Sequence, residues 1–273
     1  MPGSRPSGTD AQAGRFTSRQ LQILRLLTSH RRLTVADLAV RLEVSEESIR
    51  RDVRPLSAEG MVRKLHGAVA LPEATAEPPM PRRMLENLEG KKRIARAVAE
   101  QIEDGESLMI DTGSTTIIVA QELAARQGLL VVTNSTEVGR TLAVVPGNQV
   151  FLAGGQLRAE DAAVLGASAV GFVQEFAVRT AILSIGAIDP EHGLMDFQAA
   201  EAEFCRAVVG QSARVIVVAD HTKFGRRGFR RALGFDEVDL VVTDAPPPAD
   251  IAARFAEYGV VLLVAGAAAD EVG

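Results

Sequence analysis

The chain has 273 residues, of which 47% are hydrophobic, and a formal net charge of −5 at pH 7. This length favours two domains over one, because a domain commonly holds about 100 to 200 residues. A single cysteine and the lack of tryptophan exclude an internal disulfide framework and a core that rests on large aromatic side chains. No apolar run reaches the ~18 residues that a membrane span needs, and we therefore predict a cytoplasmic protein that does not cross a membrane.

The charge is unevenly distributed along the chain. Residues 1–71 contain 12 Lys and Arg against 7 Asp and Glu, whereas the remaining residues contain 18 against 28. A basic segment within an acidic chain is typical of a domain that contacts nucleic acid. Four prolines from Leu71 to Pro81 break any periodicity and mark a domain boundary. We predict four segments along the chain: a disordered leader at 1–14, a DNA-binding domain at 15–71, a linker at 72–81 and an α/β domain at 82–266.

Three helices are predicted in the DNA-binding domain. Thr17 begins a capping-box pattern, and apolar residues at helical spacing follow it. Thr34 caps a second helix, and Ser45 is suited to cap a third helix that continues to about Ser57 and stops before Gly60. Two helices joined by a short turn are the plan of a helix-turn-helix.

The third predicted helix has one apolar face and one basic face. At about 100° per residue, Ile49 and Val53 fall on one side, while three arginines fall near the opposite side. Arginine presents a rigid fork that binds guanine edges or phosphates, so this face suits the major groove of DNA. Pro55 lacks an N–H and is expected to kink or shorten the helix, which leaves base contacts to residues 45–51. The candidate DNA-binding residues on this helix are Ser45, Glu47, Ser48, Arg50, Arg51 and Arg54.

A short basic hairpin is predicted after the third helix. Gly67 lies near its turn, and Arg63, Lys64 and His66 would lie along the DNA phosphates as a wing. A solvated helix face explains the arginines alone equally well. The caps, the turn and the basic hairpin in one segment favour a winged helix-turn-helix that binds DNA. Asp52 is expected to pair with a neighbouring arginine rather than to contact a base.

The second domain alternates apolar runs with amphipathic stretches. The runs are continuously apolar, as parallel strands are when helices cover both faces of their sheet. We therefore predict a doubly wound α/β sheet. The predicted strands are Ser107–Asp111, Leu129–Thr133, Gln149–Ala153, Thr180–Ile185, Arg214–Ala219, Asp239–Thr243 and Gly259–Val264.

A turn rich in glycine and hydroxyl residues follows the first of these strands. Such a turn directs free N–H groups and a helix dipole at one point, which is how many folds bind phosphate. A helix cap without any ligand is the alternative, since Ser and Thr cap helices in any case. Ligands of open α/β sheets collect at the carboxyl ends of strands, where Lys223 is either a phosphate partner or an ordinary surface lysine, and Lys91 is a weaker candidate. The candidate ligand-binding residues are Asp111, Thr112, Gly113, Ser114, Thr115, Thr116, Asn134 and Lys223.

These motifs resemble those of the DeoR family of bacterial regulators. The segment V-S-E-E-S-I-R-R-D-V at 44–53 is similar to the family pattern V-S-x-x-T-I-R-R-D-L, and the basic hairpin to R-x-H-G-G, with Ser48 for Thr and Ala68 for the second Gly. The later loops are similar to the family's D-S-G-T-T, T-N-S, G-G and D-x-S-K-F signatures. Cys205 stands where the family usually has Lys, and its apolar surroundings favour a packed side chain over a reactive thiol. The resemblance implies a sensor domain that is similar to ribose-5-phosphate isomerase and binds phosphorylated sugars or related intermediates.

Two functions stay open at this point. The first is a transcriptional regulator, a repressor by the habit of the family, that binds a double-stranded DNA operator under control of a phosphorylated sugar or a glycerol-3-phosphate-like effector. Helix-turn-helix proteins bind repeated half-sites, so we expect a homo-oligomer, either a dimer or a tetramer. The alternative is a sugar-phosphate isomerase-like enzyme with a DNA-binding appendage, for which Asp111 and Asp189 are candidate bases. No paired acid and base is evident, and four scattered histidines and one cysteine predict neither a metal site nor a cofactor.

Overall fold

A computed structural model describes residues 16–72 and 77–266 of the chain. The predicted leader at 1–14 lies outside the described residues, and so do residues 73–76 of the predicted linker. Among the helices that the structure describes, none has the length and apolar character needed to cross a membrane.

Contacts within the chain form two compact units, Met1–Glu86 and Asn87–Gly273. We predicted the second domain to begin at residue 82, slightly earlier than this division. The difference arises because residues up to Leu85 form a short helix, which the sequence did not indicate and which belongs to the first unit. The predicted domain ranges stay predictions.

The first unit has the element order of a winged helix-turn-helix. Three helices precede a short hairpin, as predicted, and the additional short helix follows it. The elements are α1 (Ser18–His30), β1 (Arg32–Thr34), α2 (Val35–Arg41), α3 (Glu46–Ala58), β2 (Arg63–Leu65), β3 (Ala68–Ala70) and α4 (Met80–Leu85).

All three predicted helix caps are present. Thr17 and Thr34 each form a complete capping box with the helix that follows. Ser45 Oγ accepts a hydrogen bond from the backbone N–H of Ser48 at 3.2 Å. These side chains begin helices because they bond N–H groups that the first turn leaves without an intrahelical partner. Gly60 follows α3 with a φ of +69°, the left-handed conformation that commonly ends a helix.

Pro55 does not shorten α3, although we predicted that it would kink or shorten the helix. The helix runs through Pro55 and ends at Ala58. Proline removes one hydrogen bond from the helix, but Val53 and Leu56 on either side of it are buried in the core of the unit. Packing therefore holds the helix together across the proline, and the basic face extends as far as Arg54.

The apolar face of α3 meets those of α1 and α2 in one core. Ile49, Val53 and Leu56 are at most 2% exposed, as the predicted pattern requires. Asp52 is buried beside them and forms an ion pair with Arg19 of α1. The predicted ion pair is present, but its partner comes from a different helix, so this contact fixes α3 against α1.

The predicted wing is a hairpin. Strands β2 and β3 pair antiparallel, and Gly67 between them has a φ of +68°, a conformation that glycine adopts without strain. Strand β1 pairs antiparallel with β3, so a third strand, which the sequence did not indicate, fixes the hairpin beside the helices.

The second unit contains a large parallel sheet, helices between its strands and several short antiparallel strands. The helices are α5 (Leu88–Ala99), α6 (Ser114–Leu123), α7 (Thr136–Ala143), α8 (Ala167–Val173), α9 (Ala199–Val209) and α10 (Ala249–Tyr258). The strands are β4 (Ser107–Ile110), β5 (Leu130–Thr133), β6 (Gln149–Leu152), β7 (Leu157–Arg158), β8 (Ala163–Val164), β9 (Val178–Ser184), β10 (Ala187–Asp189), β11 (Gly193–Asp196), β12 (Ser212–Val218), β13 (Arg230–Leu233), β14 (Leu240–Thr243) and β15 (Val261–Val264).

All seven predicted strands lie in one sheet, which confirms the α/β architecture. The order is β15-β14-β12-β9-β4-β5-β6, and every neighbouring pair is parallel. The chain first builds outward from β4 to β6 and then, from β9, outward in the other direction. Because parallel crossovers are right-handed, this reversal places helices on both faces. It also opens a crevice at the carboxyl ends of β4 and β9, the position at which open α/β sheets bind ligands.

Among the described residues of the second unit, five short strands lie outside this sheet. Strands β10, β11 and β13 form an antiparallel sheet, and β7 pairs with β8. The sequence did not indicate them, because segments of two to four residues are too short to show a periodicity.

Arg158 ties the β7–β8 hairpin to α9. It forms ion pairs with Asp161 and with Glu201, the latter at 2.5 Å between Nη2 and Oε1. Burial acting alone would lower the pKa of Arg158, but the hydrogen bonds to the two carboxylates raise it. Arginine therefore stays charged in this partly buried position.

Candidate functional site

The basic face of α3 is open to solvent. Arg50, Arg51 and Arg54 are all exposed, and the opposite face of the helix is buried. Arg50 Nη2 lies 2.5 Å from Glu46 Oε2, and Nη1 lies 3.6 Å from Glu47 Oε2. Within the described part of the chain, Arg51 and Arg54 form no ion pair. The two unpaired guanidinium groups are therefore available to DNA, whereas Arg50 must first leave its acidic neighbours.

Two predicted DNA contacts at the start of α3 also stabilise the helix itself. Ser45 accepts the capping hydrogen bond described above, and its Oγ lies 3.0 Å from Ser48 Oγ. A hydroxyl that caps a helix retains a lone pair or a proton for a phosphate, so the two roles are compatible. The exposed Glu47 sits on the same first turn, where its charge complements the helix dipole.

The wing presents the predicted basic residues. Arg63 and Lys64 on β2 and His66 at the turn are all exposed, while the three residues of β3 are buried. The hairpin thus has one face fixed on the unit and one cationic edge directed to solvent. Such an edge suits the phosphate backbone, which is read by charge rather than by sequence.

In the second unit, the loop from β4 to α6 approaches β9 very closely. A Cβ atom at Gly113 would lie 2.1 Å from Ser184 Oγ, so only glycine fits there. Ser184 donates from its backbone N–H to Asp111 Oδ2 at 2.9 Å, and its hydroxyl donates to the carbonyl of Thr112 at 3.2 Å. The loop is therefore held at the crevice between β4 and β9, where the strand order reverses.

The hydroxyl groups in this loop differ in whether they form hydrogen bonds within the loop. Thr116 Oγ1 lies 3.1 Å from the carbonyl oxygen of Asp111 and 3.2 Å from that of Gly113, so its hydrogen bonds are used within the loop. Ser114 and Thr115 are buried on the first turn of α6. The N–H groups of such a first turn have no intrahelical partner, and no side chain caps them here.

Three buried oxygens at this edge have no hydrogen-bond partner among the described residues. They are Asp111 Oδ1, Thr112 Oγ1 and Asn134 Oδ1. Asn134 follows β5, the neighbour of β4, and its amide nitrogen donates to the carbonyl of Val164 at 3.0 Å. Buried polar atoms are nearly always bonded in folded proteins, and an unpaired one costs stability. Ordered water or a ligand with hydrogen-bonding groups would satisfy these oxygens.

Asp111 has an unusual charge environment. Burial is the main cause that raises the pKa of this carboxyl well above its ordinary value, hydrogen bonds from Ser184 oppose it, and the charge of Asp196 raises it further. Asp196 ends β11 and accepts the N–H of Gly186 at 2.9 Å. We did not predict Asp196 or Ser184 as site residues, because their closeness to Asp111 depends on the order of the strands.

Lysines lie at the same carboxyl edge. Lys223 is partly buried in a single turn of 3-10 helix (His221–Lys223) after β12. Lys91 on α5 is only 2% exposed, and its Nζ lies 3.9 Å from Asp220 Oδ2. The sequence did not indicate that Lys91 is buried beside the loop after β12, because a single lysine on a helix carries no such signal.

The two candidate bases of the enzyme alternative have different environments. Asp189 bonds the backbone of Glu191 and the ring of His192, both at 2.9 Å. Burial alone would raise the pKa of Asp189, but these hydrogen bonds lower it, so the carboxylate is a weak base that stabilises a turn.

Within the described ranges, no group of three His, Cys, Asp or Glu residues is placed to hold a metal ion.

Cys205 is buried on α9, as predicted for a packed side chain. Burial raises the pKa of the thiol well above its ordinary value, and the charges of Asp196 and Asp111 raise it further. A thiol that stays protonated is a poor nucleophile, so the structure favours packing over reactivity at this position.

Family models cover both units. Residues 19–75 match the DeoR-like helix-turn-helix domain, and residues 86–245 match the DeoR C-terminal sensor domain. Part of the chain also aligns with ribose-5-phosphate isomerase A from Neisseria gonorrhoeae, at 20% identity and a TM-score of 0.36, over 50% of this chain and 54% of that chain.

Curated relatives extend over most of the chain. The glycerol-3-phosphate regulon repressor of Escherichia coli is 36% identical over 86% of this chain and 93% of its own length. The HTH-type transcriptional repressor CsqR of the same organism is 31% identical, over 89% of this chain and 93% of its own length. With a DNA-reading unit and a sensor unit that both match, the chain belongs to the DeoR family of DNA-binding transcriptional regulators.

Proposed function

We propose that this regulator is a repressor that releases its operator when a phosphorylated metabolite binds at the carboxyl edge of the parallel sheet. The observation that carries the proposal is the set of three buried, unpartnered oxygens of Asp111, Thr112 and Asn134 beside the first turn of α6, which no side chain caps. A helix N-terminus attracts the phosphate, and the buried oxygens accept hydrogen bonds from hydroxyl groups of the same ligand.

The DNA-binding half of the proposal uses α3 and the wing. Arg51 and Arg54 contact base edges or phosphates in the major groove, and the exposed wing residues Arg63, Lys64 and His66 contact the flanking backbone. Ser45, Glu47, Ser48 and Arg50 complete the same surface. We expect this surface to act as a pair within a dimer or tetramer in the cytoplasm, because two recognition helices are needed to read repeated half-sites.

The ligand-binding half uses residues that follow β4, β5 and β12, together with one residue of α5. The loop from Asp111 to Thr116 binds the phosphate through backbone N–H groups, and Lys223 and Lys91 supply positive charge. A relative named for the glycerol-3-phosphate regulon makes glycerol 3-phosphate the first compound to test. The ligand must bind the DNA-free and DNA-bound states with different affinities, since otherwise it shifts nothing.

A mobility-shift experiment tests both halves. The probe is the DNA immediately upstream of the gene that encodes this chain, and the additions are glycerol 3-phosphate, ribose 5-phosphate, glycerol and inorganic phosphate. We expect specific binding that one of the two organic phosphates weakens, while glycerol leaves it unchanged. DNA binding that no phosphorylated compound alters would contradict the sensor half, and a lack of specific binding to upstream DNA would contradict the proposal as a whole.

A further inference from the structure

A histidine and a buried aspartate meet at the carboxyl edge of the sheet, outside the loop described above. His221 follows β12 and Asp244 follows β14, the next strand in the sheet. The imidazole Nδ1 lies 2.9 Å from Asp244 Oδ2, and the backbone N–H of His221 donates to Asp244 Oδ1 at 2.8 Å. Both carboxylate oxygens thus hold the same residue, so the ring cannot rotate without losing a charged hydrogen bond.

The aspartate itself is fixed by α5. Asn87 Nδ2 donates to Asp244 Oδ2 at 2.8 Å, and Arg93 Nη2 lies 3.7 Å from the same oxygen. A Cβ atom at Gly90 would lie 2.5 Å from Asp244 Oδ2, so the glycine permits the helix to approach this closely. Burial alone would raise the pKa of Asp244, but the hydrogen bonds from Asn87 and His221 lower it. An ionised carboxylate can only accept hydrogen bonds, and Nδ1 of His221 therefore carries the proton that it donates to Asp244.

The other ring nitrogen of His221 is available. Within residues 16–72 and 77–266, Nε2 forms no hydrogen bond, and the side chain is 51% exposed. A second histidine in this unit provides a comparison. His192 Nδ1 also lies 2.9 Å from an aspartate, Asp189, but its Nε2 is 2.9 Å from Arg227. Both ring nitrogens of His192 therefore have partners, whereas Nε2 of His221 has none and is held in a fixed direction.

Charged groups around His221 favour an anion over a cation. Lys223 lies two residues further along the same 3-10 turn, and Lys91 and Arg93 lie on α5 beside it. Asp220 and Asp244 are the acidic groups at this place, each engaged with a cation or with the histidine. A neutral imidazole whose Nδ1–H bonds Asp244 offers only a lone pair at Nε2, which repels an anionic oxygen. A protonated ring offers a donor there.

We propose that His221 binds the phosphate of the effector through Nε2–H, and that Asp244 positions the ring and stabilises its positive charge. The inference rests on the proposed function, and it adds a residue pair that the loop at Asp111 does not include. Binding then takes up one proton from solvent for each neutral imidazole that becomes imidazolium. Uptake of a proton distinguishes a ligand contact from a purely structural histidine.

Isothermal titration calorimetry of the full chain with glycerol 3-phosphate tests this inference. Titrations at pH 7.5 in two buffers of different ionisation enthalpy give the number of protons taken up. We expect proton uptake in the wild-type chain. In His221→Gln we expect a loss of this uptake and an affinity at least about tenfold lower, as for a hydrogen bond to a charged group. His192→Gln is the matched control, with unchanged affinity and uptake. Asp244→Asn is expected to lower the affinity less and to reduce the proton uptake.

The outcomes separate the two proposals. If His221→Gln binds glycerol 3-phosphate with the affinity and proton uptake of the wild-type chain, this inference is wrong and the proposed function stands. If the wild-type chain binds neither glycerol 3-phosphate nor ribose 5-phosphate, both proposals are wrong. Equal unfolding temperatures of the variants and the wild-type chain show that any loss comes from the contact and not from the fold.

Discussion

Replacement of Arg51 and Arg54 by alanine tests the DNA-binding surface. Along α3, Arg50, Arg51 and Arg54 span an arc of about 100°, and the buried Ile49 and Val53 lie on the other side of the helix. Each arginine that contacts a base edge contributes about 1–3 kcal/mol. Two such losses add, so the double variant is expected to bind its DNA about 30-fold to 10⁴-fold more weakly.

The expected loss is specific because neither side chain supports the fold. Both arginines are exposed and form no ion pair within the described residues, so their removal changes the free energy of unfolding by no more than about 0.5 kcal/mol. Arg50 differs, since it must leave Glu46 before it can contact DNA. A surface pair of this kind contributes about 0.3–0.5 kcal/mol, and Arg50→Ala alone is expected to have the smaller effect.

Fluorescence anisotropy with labelled upstream DNA at several salt concentrations measures the effect. Removal of one phosphate contact lowers the slope of log K against log salt by about 1, whereas removal of a base contact leaves the slope unchanged and reduces the preference for the specific sequence. Arg25→Ala, at an exposed arginine of α1, is the control for the loss of one positive charge, half the change in the double variant. If the double variant retains the affinity and the salt slope of the wild-type chain, the assignment of α3 as the recognition helix is wrong.

Three further outcomes are expected from the second unit. Asp111→Asn is expected to raise the free energy of unfolding of the ligand-free chain at pH 8, measured by urea titration. A raised pKa means that the ionised carboxylate opposes folding above its ordinary titration range. The gain therefore disappears at about pH 4, near the ordinary pKa of the carboxyl in the unfolded chain. Gly113→Ala is expected to lower the free energy of unfolding by about 1–3 kcal/mol, since Ser184 blocks the new Cβ. Gly154→Ala, where a Cβ has nothing within 4 Å, leaves the free energy of unfolding nearly unchanged. Equal values for the two variants would contradict the close approach of the loop to Ser184. Arg158→Ala lowers the free energy of unfolding by about 3 kcal/mol, because two acidic partners lose their cation. A change no larger than that of Gly154→Ala in the same urea titrations would refute this.

Local sequence patterns predicted the helices and the main strands well. The caps at Thr17, Thr34 and Ser45 and the seven apolar runs all correspond to elements of the structure. These signals are local, because a cap or a buried run depends on a few consecutive side chains. Pro55 shows where such reasoning is incomplete. Proline by itself predicts a kinked or shortened helix, but α3 continues to Ala58, with Val53 and Leu56 on either side of the proline buried in the core.

The composition of the loop at Asp111–Thr116 also predicted a ligand site at this edge of the sheet. It did not indicate which groups are available, since the hydroxyl of Thr116 is used inside the loop, whereas Asp111 Oδ1 and Asn134 Oδ1 have no hydrogen-bond partner among the described residues. That distinction depends on where other segments place hydrogen-bond donors and acceptors.

The sequence alone predicted the two-part organisation, the winged helix-turn-helix and the parallel α/β class. Each of these depends on periodicity, caps and charge within a short stretch. Only the tertiary structure decided which strands are neighbours. The reversal of strand order between β4 and β9 brings Ser184 to Asp111, and the adjacency of β12 and β14 brings His221 to Asp244. Contacts between residues so far apart in the chain are set by the packing of whole elements, on which a local pattern carries no information.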